Sequence, residues 1–149
     1  MDAFVIHVER DRNINDAVAK VELVGFNSII TKPIFNNSDC SYCYRWTQNI
    51  SGSWSMKEDW PDGNNEDAND DVTFLGKYVT TEDGRELGAR STDVDDLIVL
   101  VGTKTAVVYK VASVGFEWVK DLDVSSWKKV ERVAGDKDGN VMVTKGVAA

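Results

Sequence analysis

The chain has 149 residues, is 42% hydrophobic and carries five Trp, five Phe and four Tyr, a make-up that excludes disorder and is long enough to bury a core without disulfides or metal. Its formal net charge of −8 denies it the basic footprint that dominates nucleic-acid binding. No apolar run approaches the roughly 18 residues of a membrane helix, and one domain over 1–149 is expected.

The first element is Phe4-Val5-Ile6-His7-Val8, a β-rich run suited to a central strand. Asn13 is placed to cap a short helix in which Ile14, Ala17, Val18, Val21 and Val24 recur at helical spacing before Gly25. A strand over 20–26 is the competing reading, and the helix is preferred. Residues 28–35 follow as a strand interrupted by Pro33, which suits a sheet edge. From Cys40 to Ile50 the chain alternates, with Cys40, Tyr42, Tyr44 and Trp46 on one parity and Ser41, Cys43, Arg45 and Thr47 on the other, the period of a strand. An acidic loop at 57–72 comes next, marked by Pro61, Gly63, Asn64, Asn65 and Asn69. Strand character returns over 73–80, and Thr81-Glu82-Asp83-Gly84 turns the chain. Residues 97–101 and 106–112 flank Gly102-Thr103-Lys104-Thr105 as one hairpin; 130–133 and 141–144 flank Asp136-Lys137-Asp138-Gly139-Asn140 as a second. For the last region a helix over 125–134 is the alternative. The expected class is α+β: a mainly antiparallel curved sheet, or a partly open small β-barrel, with one or two short helices.

The charge is unevenly placed. Seven acidic residues (Glu58, Asp59, Asp62, Glu66, Asp67, Asp70 and Asp71) occupy the fourteen positions 58–71, which hold no Lys or Arg; eighteen acids and seventeen bases make up the rest. A mimic of duplex phosphate needs acidic charge spread along a face, so the surplus points instead to a local acidic contact on an exposed loop.

Residues 84–119 carry a family resemblance. Arg90, Ser91, Val94 and Asp96 form Arg-Ser-x-x-Val-x-Asp, followed by the apolar run 97–101, Tyr109 and a Gly115-Phe116 pair at a strand end; residues 4–8 match more weakly. This order resembles the YodL-like domain of phage and mobile-element proteins. The resemblance implies a fold and a genomic setting, with Phe116 in the core and Gly115 in a bend. It carries over no catalytic residue, and 36–72 lies outside it.

Candidate chemistry is sparse. Cys40-Ser41-Tyr42-Cys43 has the spacing of half a zinc site, but a strand sends its thiols to opposite faces, so neither metal nor mutual disulfide is expected. Asp136 to Asn140 begins like a calcium loop, yet Val141 and Val147 stand where Gly and Glu are needed. His7 is the only histidine and lies in an apolar strand, which leaves little for nucleophilic catalysis. Two cysteines without a secretory leader suggest a reducing, cytoplasmic setting. The expectation is a small non-catalytic accessory protein without cofactor or metal, encoded by a phage or mobile element. It would bind and inhibit or modulate a host or defence protein through Trp46, Trp54, Trp60 and the acidic loop. A nucleic-acid-associated or nucleic-acid-mimicking module and an enzyme of unknown reaction are the alternatives.

Overall fold

A computed structural model describes residues 2–23, 38–57, 60, 64–102, 104–124 and 130–145. It is a mostly antiparallel sheet, strongly curled into a half-barrel, with one short helix among the described residues. The order of hydrogen-bonded neighbours is β10 (Val141–Lys145), β9 (Val130–Gly135), β2 (Asn15–Glu22), β1 (Asp2–Ile6), β6 (Leu97–Val101), β7 (Thr105–Val111) and β8 (Phe116–Asp123). The outer edge of β2 is shared: its first residues pair with β9, and residues 19–21 pair with β3 (Val72–Phe74). A separate two-stranded ribbon joins β4 (Val79–Thr80) to β5 (Glu86–Leu87).

Strands β1, β6 and β7 are buried on both faces, which is why they read as unbroken apolar runs. Ala3, Val5, Ile98, Leu100, Val107 and Tyr109 enter one core cluster, and Phe4, Ile6, Leu97, Val99, Ala106 and Val108 enter the other. The second cluster also takes Val133 of β9, with Val119 and Leu122 of β8 and Val141 of β10 packed against it. Both ends of the sheet thus bend toward the same apolar face, and this produces the curl.

Two elements correct the sequence expectations. Residues 15–22 are a strand, not a helix. Alternate residues 15, 17, 19 and 21 are buried while 16, 20 and 22 are exposed, and a bulge at Val18 moves Ala17 to the opposite cluster from Ala19 and Val21. The helical spacing of Ile14, Ala17, Val18 and Val21 is coincidental; the β-branched Val18 and Val21 suit a strand equally, and β2 pairs with β1, β3 and β9. Conversely, the strand expected from Cys40 is the helix α1 (Ser38–Arg45). Its string carries both periods, but Asp39, Cys40, Cys43 and Thr47 are the buried positions, three and four residues apart. Asp39 in the first turn and Arg45 in the last suit the helix dipole. Consequently Cys40 and Cys43 share one buried face, as free thiols, rather than facing apart.

Both expected hairpins form as strands β6/β7 and β9/β10, so the described part of 125–134 is strand rather than helix. Gly139 closes the second turn at φ 79. Gly115 bends the chain at φ 73, but Phe116 opens β8 instead of ending a strand, and it is half-buried against Tyr44. The strand expected over 73–80 breaks into β3 and β4. Residues 28–35 lie outside the described residues.

Candidate functional site

The residues behind the family resemblance form an internal clasp. Asp96, 1% exposed, receives Arg90 through two bonds of 2.7 and 2.9 Å and the backbone N–H groups of Val8 at 2.9 Å and Asp93 at 2.8 Å. Arg90 also reaches Glu9. Ser91 Oγ accepts the N–H of Asn49 at 2.8 Å. The segment 90–96 is thereby fixed to the end of β1 on one side and to the chain following α1 on the other.

His7 Nε2 lies 2.9 Å from Thr92 Oγ1, which lies 2.7 Å from Thr47 Oγ1; Thr47 in turn donates to the carbonyl of Cys43 at 2.8 Å. Burial lowers the His7 pKa to about 4, against the opposing pull of Asp96 at 4.0 Å and with help from Arg90. The ring is neutral near pH 7 and hydrogen-bonded in place. Burial likewise pushes the Cys40 thiol far up, with Cys43 and Asp39 adding to the shift, and raises Cys43 to about 12. Thiols in that state are poor nucleophiles and poor metal ligands, and among the described residues no three His, Cys, Asp or Glu gather as a metal cluster.

The expected partner-binding residues divide sharply. Trp54 is fully buried, donates from Nε1 to the carbonyl of Arg90 at 2.9 Å, and packs edge-on against Phe74 and His7; it belongs to the core. Trp46 is half-buried beneath the Arg45 guanidinium, 4.2 Å from its ring centre. Trp60 is half-buried and lines an open cleft. Glu66 and Asp70 are exposed, while Glu58, Asp59 and Asp62 lie outside the described residues.

Asp67 overturns the expectation of an exposed acidic loop at its centre. Its side chain is completely buried. One oxygen accepts the N–H groups of Ile50, Ser51 and Gly52 at 2.7 to 2.8 Å, and the other meets Arg45 at 3.2 Å. Burial alone would raise this carboxyl; the three N–H groups and Arg45 outweigh it and hold the pKa below the ordinary 3.8. Asn65 reaches the carbonyl of Ser53 at 2.6 Å, and Asp71 accepts the Tyr42 hydroxyl at 2.6 Å. Alternate residues 65, 67, 69 and 71 face inward and staple 64–71 to α1 and to 50–53.

The cleft holding Trp60 has a volume of about 920 Å³. Its floor is Ser53 and Met56, and its far wall is the chain from 84 to 90. Gly88 is required where the wall meets the floor: a Cβ there would overlap Ser55 Oγ and lie 2.7 Å from Met56 Cγ. Beyond it the β4/β5 ribbon projects a cross-strand apolar pair, Val79 and Leu87, which are 63% and 47% exposed. The sequence offered a turn at 81–84 but no reason to single out this pair, because two apolar residues flanking a turn equally describe a buried hairpin.

Compared with protein-family models, curated proteins and solved structures, the chain matches none.

Proposed function

We propose that the protein is a non-catalytic binding module that engages another protein through the Trp60 cleft and the adjoining Val79/Leu87 ribbon. Its YodL-like resemblance, where residues 90–96 carry the motif, makes a phage or mobile-element origin and a host or defence protein as target the reading we adopt, with inhibition or modulation as the outcome. The observation that carries it is the placement of exposed apolar side chains on a projecting ribbon beside an open cleft that holds a half-buried Trp. Partner-binding hot spots favour aromatic anchors in such settings. Catalysis finds less support, since His7 and both thiols are buried and held in unreactive forms. Nucleic-acid binding also finds less, since Arg85 and Arg90 in the cleft wall are already paired with carboxylates.

The test is affinity capture from host extract with the wild-type chain and with Trp60→Ala and Leu87→Ala in parallel. A partner retained by wild type and lost from both variants, each still folded by circular dichroism, supports this surface. Equal retention by all three chains would move the function elsewhere.

A further inference from the structure

The ribbon's hydrogen-bond register says more about what the cleft takes. Thr81 N–H donates to the carbonyl of Arg85 at 2.8 Å, and the next pairs along are Thr80 with Glu86 and Val79 with Leu87. Antiparallel ladders alternate between bonded and non-bonded pairs, so Thr80 and Glu86 form a non-bonded pair. The N–H and C=O of Glu86 therefore point away from β4, and among the described residues neither finds a backbone partner. The cleft follows that side of the ribbon: every residue from 84 to 90 lines it, against Thr80 alone from β4. An open strand edge thus borders a cleft with Trp60 and Met56 within it.

The charge there is also one-sided. Arg85 is paired with Asp83, and Arg90 with Asp96 and Glu9. Glu86 has no ion pair among the described residues, and of the acids that follow Trp60 in the chain Glu66 and Asp70 are exposed.

We infer that the cleft binds an extended basic segment of the partner protein, which adds as a strand to the free edge of β5, places a large apolar side chain against Trp60 and Met56, and sets Lys or Arg beside Glu86. This rests on the cleft being the protein-binding site, and adds the mode and the chemistry of what binds. Backbone bonds at a sheet edge supply affinity, while alternate side chains supply specificity.

A randomised nonapeptide library screened with the whole chain tests it. Selected peptides are expected to combine Lys or Arg with one aromatic or large aliphatic residue. Methylating the backbone nitrogens of the best peptide one at a time should weaken binding at least tenfold at alternate positions only. Glu86→Pro should do the same, because it removes an N–H that the ribbon does not use and proline is tolerated at such edge positions. Glu86→Gln should keep the alternating pattern and flatten the salt dependence. The methylation scan uses the unaltered chain, so it decides the matter even if the proline variant folds poorly. Loss of binding in Trp60→Ala with no effect of methylation or of Glu86→Pro would overturn strand addition and leave the cleft as the site. Selection of acidic or uncharged peptides would overturn the charge assignment, and selected peptides indifferent to Trp60→Ala would remove the cleft itself.

Discussion

Two segments, the loop 64–71 and the ribbon 79–87 with its charged turn, both carry several charges, and the fold uses them in opposite ways. The first is tied down by polar groups: Asp67 is buried under three N–H groups and Arg45, and Asn65 and Asp71 add further bonds. The second, among the described residues, is stiffened within itself by Thr81, Asp83 and Arg85, and its apolar pair is largely exposed. Density of charge is therefore a poor guide to exposure. A short carboxylate that meets several backbone N–H groups organises a loop, whereas the apolar side chains of the two-stranded ribbon stay largely exposed.

The comparison can be broken first by acid. His7 adjoins the Asp96 clasp, and its folded pKa of about 4 lies below the ordinary 6.5. The unfolded chain then binds more protons between those values, so stability is full above pH 6.5 and falls as pH drops toward 4, by roughly 3 kcal/mol in all. Urea unfolding at a series of pH values reads this directly. A flat profile from pH 7 to 5 would mean that the ring is solvated and the clasp looser than described.

Next in size is Asp67→Ala, which should cost about 2 to 3 kcal/mol, since it strips the acceptor from three part-buried N–H groups and from Arg45 at once. Because the Asp67 pKa is depressed, its contribution is present above the ordinary carboxylate value and disappears as pH falls through the lower folded one. The variant should accordingly differ from wild type at pH 7 and converge with it in strong acid. Wild-type stability in the variant would return 64–71 to the class of solvated acidic loops.

The smallest effects lie on the exposed side. Glu66→Gln with Asp70→Asn should change unfolding free energy by less than about 0.5 kcal/mol, and Val79→Ala should do little more, because its side chain is already in water. A loss above about 2 kcal/mol in Val79→Ala would show that the ribbon is part of the core and weaken its role as a binding element.

Local pattern alone determined much of this molecule. The apolar runs of β1, β6 and β7 mark strands, and the Asp-Gly turn at 138–139 favours a hairpin by its turn chemistry, although a helix over 125–134 fitted the same residues until β9 and β10 paired. The aromatic and acidic composition nominated Trp46, Trp54, Trp60 and the acids of 58–71 together, without separating the buried members from the exposed ones. Elsewhere the same residues fit two periods. Residues 15–22 and 38–45 were decided by what lay beside them: strand edges needing a partner in the first, and an uncovered sheet face needing Cys40 and Cys43 in the second. Only the tertiary structure could separate Trp54 from Trp60, or Asp67 from Asp70. Whether a tryptophan fills a core or lines a cleft, and whether a carboxylate meets water or three backbone N–H groups, depends on segments brought together from distant parts of the chain, and no local spacing records that.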